Sequence, residues 1–247
     1  MFRRSLPVLI AFAIAAATAQ AQFVISPRAG VIHYLDGEVL VEDQELVQDG
    51  PAFGWLGEGK ILRTGDAGHC ELVLTPGSVL RIGPNSSILL LSEDITNIRI
   101  ELLGGSSIID WRSGPEDRPI RMTHGESEVE LNKRGQYRFD AYADQDAQLR
   151  VFQGQAELTL DGVRVAARDG QTITLGSRDV EGFDTEQTDS FDAWHEERAQ
   201  FIAEVNSLAR TRNQRMAAGF RTLFRHLANG QSRGIRRGPN MFIGSRR

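Results

Sequence analysis

The chain has 247 residues, 40% of them apolar, with 28 Lys+Arg against 33 Asp+Glu for a net charge of −5. The length suits one domain plus an appendage. A lone cysteine, Cys70, excludes an intramolecular disulfide framework; the N-terminal apolar run is too short to span a membrane, and no later segment is apolar enough to do so.

The charge is unevenly spread. Residues 22–207 hold 16 Lys+Arg against 33 Asp+Glu, whereas residues 208–247 hold 10 Arg and no acid. An acidic body with a basic tail points to an anionic partner, or to a tail lying on its own body.

Taken in order, the chain opens as a secretory signal. Arg3 and Arg4 precede the apolar run Leu6–Ala17, and Ala19-Gln20-Ala21 is an A-x-A cleavage site that sets the mature start near Gln22. No cysteine lies near that site, so a lipid anchor is not expected. Gly30–Tyr34 and Glu38–Val41 read as a hairpin about Leu35-Asp36-Gly37, because Asp-Gly accepts the positive φ of a tight turn. Phe53 and Trp55 sit in a Gly-rich connection, as plugs at the end of a β core or as the lining of a groove.

Residues 61–91 organise the rest. The alternating runs Cys70–Leu74 and Val79–Ile82 flank Thr75-Pro76-Gly77-Ser78, and Ile88–Leu91 follows Gly83-Pro84-Asn85-Ser86. This spacing predicts half-buried strands in an antiparallel meander. The alternation puts Cys70, Leu72 and Leu74 on one face and His69 and Glu71 on the other, so Cys70 is expected to be a small buried apolar residue.

Beyond it, Asn97–Leu103 is read as a strand that Gly104-Gly105 turns into Ser106–Trp111. Pro119–Thr123 and Glu126–Leu131 flank His124-Gly125, and Lys133–Tyr142 places Tyr137 and Phe139 on one face. Gln148–Phe152, Ala156–Leu160, Val163–Ala166 and Thr172–Leu175 complete the series. A degenerate repeat links residues 34–39, 101–106 and 151–156 as apolar–Gly–polar turns. The fold class is therefore mainly β, a sandwich or a short β-solenoid of stacked hairpins, followed by a C-terminal α-helical segment.

The domain reading is a signal peptide over 1–21, an all-β domain over 22–180, an acidic linker over 181–188, an amphipathic helix or helix pair over 189–229, and a basic disordered tail over 230–247. Asp189-Ser190-Phe191-Asp192 resembles a capping box at the helix start. Trp194, Ile202, Val205 and Leu208 keep helical spacing, as do Met216, Phe220, Leu223 and Leu227.

The stretch from Ile61 to Leu91 resembles the FecR-type domain, named after the periplasmic part of a bacterial iron-citrate sensor. The matching residues are Leu62-Arg63-Thr64-Gly65, Glu71-Leu72, Gly77-Ser78, Leu80-Arg81-Ile82-Gly83 and Asn85-Ser86, and a looser likeness runs from Gly30 to Leu175. Of these, Arg63, Thr64, Gly65, Gly77, Ser78, Arg81, Gly83, Asn85 and Ser86 are turn and core positions, so they speak for fold more than activity. The resemblance implies a periplasmic module that makes protein–protein contacts in sensors signalling across the inner membrane. In departure from that family, a cytoplasmic anti-sigma region and an anchoring helix after the signal are not expected here. The expectation is a stand-alone scaffold or binding module in the periplasm, or outside the cell, of a bacterium, with envelope proteins as partners.

Catalytic, cofactor and metal sites are not expected. His195-Glu196-Glu197 lacks a second histidine four residues on, and no nucleophile elbow, P-loop or dinucleotide fingerprint is present. A glycan-active pair of carboxylates needs a cleft, and the acids here fall on outward strand positions and turns. The basic helix and tail offer Arg210, Arg212, Arg215, Arg221, Arg225, Arg233, Arg236 and Arg237 as contacts to an anionic membrane surface or polymer. No specific nucleic-acid partner is expected of an exported chain.

Overall fold

The computed structural model of the chain describes residues 28–46, 54–112, 118–208 and 211. The expected signal segment, Phe53, and the arginines from Arg210 onward in the basic helix and tail lie outside the described residues. The chain divides into two units, one ending at Glu186 and one starting at Gln187.

The first unit is all β. Its strands open with β1 (Val31–Asp36), β2 (Val39–Val41), β3 (Gln44–Glu45), β4 (Gly54–Trp55), β5 (Ile61–Thr64) and β6 (His69–Thr75). The middle holds β7 (Ser78–Ile82), β8 (Ser87–Ser92), β9 (Arg99–Trp111), β10 (Ile120–His124), β11 (Ser127–Leu131) and β12 (Gly135–Ala141). The unit closes with β13 (Gln148–Gln153), β14 (Gln155–Leu160), β15 (Val163–Arg168), β16 (Gln171–Thr174) and β17 (Val180–Gly182).

Hydrogen bonding sorts the strands into two open sheets joined by one strand. The first sheet runs β4-β1-β6-β7-β9-β12-β13-β16-β17. The second runs β3-β2-β5-β8-β9-β10-β11-β14-β15. Every pairing is antiparallel except β9 with β10. The 13-residue β9 belongs to both sheets: Arg99–Gly104 pairs with β8, and Gly105–Trp111 pairs with β12.

The core follows from the two-residue period of a strand, which sends alternate side chains to one face. Leu72, Leu80, Ile109, Tyr137 and Val151 sit side by side across the first sheet. Leu90, Ile100, Met122, Val129 and Leu158 do the same in the second. All ten are buried in one shared apolar cluster. Cys70 is fully buried with them, and burial pushes its thiol up to about 12.

Three sequence expectations are corrected. β1 and β2 do not form a hairpin: β1 pairs with β4 and β6, and β2 with β3 and β5. Gly37 carries the chain from one sheet to the other. Residues 61–91 are not a simple meander either, because β8 leaves β7 to pair with β5 and β9. Gly104-Gly105 does not end a strand; it bends one strand so that each half joins a different sheet. In addition, β17 lies where the sequence reads partly as linker. The three copies of the degenerate repeat all fall at such crossings: β1 to β2, the bend of β9, and β13 to β14.

The second unit opens with α1, residues 190–208. The Asp189 carboxylate accepts from the N–H groups of Phe191 (2.9 Å) and Asp192 (3.0 Å), and Asp192 Oδ2 accepts from the Asp189 N–H (3.2 Å). This reciprocal cap satisfies donors that a helix start leaves without intrahelical partners. Phe191, His195 and Ala199, at steps of four, form a buried stripe. Val205 and Leu208 are exposed, so the buried face is not the one their apolar spacing suggests.

Candidate binding cleft

The bend of β9 is held by a knot of short hydrogen bonds. Thr64 Oγ1 donates to the Gly83 carbonyl at 2.6 Å and accepts from the Ser86 N–H at 2.9 Å. Ser86 Oγ donates to the Pro84 carbonyl and accepts from the Ser106 N–H, both at 2.8 Å. The Gly83 N–H donates to the Ser106 carbonyl, and the Asn85 N–H to the Gly65 carbonyl. Gly105 has φ +85°, and a Cβ there would lie 2.3 Å from Ser86 Oγ. Only glycine allows the bend to rest against that loop.

The structure thus brings Thr64, Gly65, Gly83, Asn85 and Ser86 together. Gly77 and Ser78 are placed at the other end of β7, where the Thr75 and Ser78 hydroxyls meet at 2.7 Å. Arg63 lies at the surface, with Nη1 2.7 Å from Asp43 Oδ1. Arg81 belongs to a charged row on the face of the first sheet turned away from the apolar core. Glu71, Arg81, Ile108 and Arg138 are neighbours across β6, β7, β9 and β12, and all four are buried. Arg81 Nη1 also reaches Asp110 Oδ2 at 3.4 Å, and Glu71 Oε1 meets His33 Nδ1 at 2.7 Å. Asp140 takes Arg138, Arg150 and the Ser106 hydroxyl at 2.6–3.0 Å. Each buried charge of this cluster has an opposite charge and a directed hydrogen bond, which such burial requires.

Beside the bend, β10 and β12 approach β9 from the same side, one along each half, and an open cleft of about 610 Å³ lies there. Its lining includes Arg63, Asn85, Leu103, His124, Tyr142 and Gln145. Leu103 and Tyr142 are 41% and 40% exposed and line the same cleft. His124 Nδ1 is 2.7 Å from the Leu102 carbonyl, so Nδ1 carries the proton and Nε2 is the acceptor of the neutral ring. The cleft therefore combines two apolar contacts with a guanidinium, a ring acceptor and two amides. Sequence reading missed it, because Leu103, His124 and Tyr142 meet only through the parallel β9–β10 pairing and the β9–β12 register.

Residues 60–157, which contain the bend, the knot and the lining of the cleft, match the family model described as FecR protein. The chain carries a FecR-type domain. Two crystal structures of a candidate anti-sigma factor from Parabacteroides distasonis ATCC 8503 are similar to it. The 1.65 Å structure has a TM-score of 0.44 at 12% identity, over 54% of this chain and 63% of that one. The 2.50 Å structure has a TM-score of 0.42 at 12% identity, over 51% and 61%. The chain thus spans about three fifths of the length of those structures. Among curated proteins, none matches this chain. No helix among the described residues is long and apolar enough to cross a membrane.

Proposed function

We propose that this chain is an exported, non-enzymatic FecR-type binding module of the bacterial cell envelope, acting through protein–protein contacts, with signalling among the roles such contacts serve. The observation that carries the reading is the cleft at the β9 bend. It lies within the FecR-type domain, on a backbone fixed by short hydrogen bonds, and it presents Leu103 and Tyr142 to solvent. Exposed apolar side chains on a rigid frame with polar neighbours are what a protein-contact site requires. The test is affinity capture from envelope extract with the full chain and with a Leu103→Ser/Tyr142→Ala variant. One partner retained by the wild type and reduced at least tenfold by the variant is expected. Equal retention by both overturns the assignment to this cleft.

A second reading is favoured by the charge asymmetry. In it, the Arg-rich residues 208–247 hold the acidic body at an anionic lipid or polymer surface. It predicts binding to vesicles containing anionic lipid that weakens steeply with salt. Deleting residues 208–247 should abolish it, and vesicle binding that survives the deletion removes this reading.

A further inference from the structure

The two sheets have four edges among the described residues, and these edges differ. Three are short: β3 and β4 have two residues each and β17 has three. The fourth, β15, is a six-residue strand in unbroken register with β14, and among the described residues no other strand ladder includes it. Short strands are a common way of blunting a sheet edge, and β15 lacks that protection. It also has no proline and no bulge.

The geometry decides which backbone groups face outward. Asp161 and Gly162 have φ +52° and +73°, the type I′ turn of a two-residue hairpin. Such a turn makes Leu160 and Val163 a hydrogen-bonded pair, and bonded pairs then recur at every second residue, at Leu158/Val165 and Ala156/Ala167. Arg164, Ala166 and Arg168 therefore turn their N–H and C=O groups away from β14. The Arg168 N–H confirms the phase: it donates to Gln171 Oε1 at 2.9 Å, not to β14. Among the described residues, two donors and three acceptors remain along the edge.

The side chains choose the occupant. Val165 is the last member of the apolar row that crosses the second sheet through Leu158, and Val163 beside it is 48% exposed. Arg164 and Arg168 stand on the opposite face, exposed. Among the described residues Arg164 forms an ion pair with the half-buried Glu157 of its neighbour, at 3.1 Å. A second copy of β15 is a poor partner: antiparallel pairing over the full strand would set Arg164 against Arg168 twice, and like charges directly opposite are destabilising. A strand with carboxylates at those positions and apolar residues between them would complement both faces.

We propose that β15 is a docking edge for an extended acidic segment of another polypeptide, which adds to the second sheet as an antiparallel strand. Main-chain hydrogen bonds at Arg164, Ala166 and Arg168 would hold it, and the two arginines would select its carboxylates. The proposal is independent of what the cleft at the β9 bend binds.

The test uses the full chain and labelled seven-residue peptides alternating Glu and Val, followed by fluorescence anisotropy. One peptide is N-methylated on its glutamates, whose N–H groups would face β15. A second is N-methylated on its valines, whose N–H groups would face away. The valine-methylated peptide is expected to bind at least tenfold tighter than the glutamate-methylated one. The Arg164→Glu/Arg168→Glu variant, altered only at exposed side chains, should lose at least tenfold for the unmethylated peptide. Equal binding of the two methylated peptides, as capture by the Arg-rich residues 208–247 would give, overturns the proposal. So does failure of the unmethylated peptide to bind. A dimer of the free chain that Ala166→Pro abolishes also overturns it, since the edge would then belong to a second copy.

Discussion

Arg81 Nε lies 2.9 Å from Glu71 Oε2, with the two side chains 1% and 0% exposed. The residues are cross-strand neighbours on β7 and β6. Removing Glu71 takes the 2.9 Å partner from a buried guanidinium that keeps Asp110 at 3.4 Å, and breaking such a buried pair costs about 3–5 kcal/mol. Glu71→Gln is therefore expected to be strongly destabilised in urea unfolding. The double variant Glu71→Leu/Arg81→Met should recover most of that loss. A double variant no more stable than Glu71→Gln alone would contradict this account.

The adjacent glycines of the β9 bend should respond oppositely to the same change. At Gly105, φ is +85° and a Cβ would sit 2.5 Å from Ser86 Cα and 2.6 Å from the Asn85 carbonyl. At Gly104 the nearest atom is the Ala141 carbonyl at 3.7 Å. Gly105→Ala is expected to lose more than the ~1–3 kcal/mol of an unfavourable backbone conformation. Gly104→Ala should stay within about 1 kcal/mol of wild type, since it gains no clash. Melting temperatures of the two variants decide it.

Tyr137 ties the β13–β14 crossing to the core. Its hydroxyl donates to the Lys133 carbonyl at 2.5 Å and accepts from the Gln155 N–H at 3.0 Å. A Cβ on Gly154 would lie 2.1 Å from that oxygen, so glycine is required at the crossing. Tyr137→Phe keeps the ring but leaves the Gln155 donor without this acceptor, a loss of about 1–3 kcal/mol. Urea unfolding should show a lowered midpoint with an unchanged slope.

Cys70 should be inert in the native protein. Burial, and then the nearby Glu71 charge, push its thiol up from 9.0 to about 12. A thiol reagent at pH 8 is expected to label it only after unfolding in urea. Because the native pKa is raised, the contribution of this group to stability is fully present below pH 9 and falls as the pH rises toward 12. Rapid native labelling at pH 8 would show that β6 opens readily.

The sequence by itself determined most of the longer strands and the core face of strands such as β6. Cys70, Leu72 and Leu74 alternate with polar residues, and a two-residue period leaves one face for the core. Asp-Gly and Pro-Gly pairs marked hairpins such as β14–β15 and β6–β7, because turn chemistry is local. Local signals do not say which strands pair across long separations. Only the tertiary structure decided that β1 pairs with β6, that β9 serves both sheets, and that β10 runs parallel beside it. The Gly104-Gly105 pair reads the same in sequence whether it turns a chain back or bends one strand; the Ser86 loop packed against Gly105 makes the difference. The cleft was illegible for the same reason, since Leu103, His124 and Tyr142 become neighbours through register alone. The sequence likewise does not place Arg81, because an arginine in an alternating strand looks solvated until its partner Glu71 and its burial are seen.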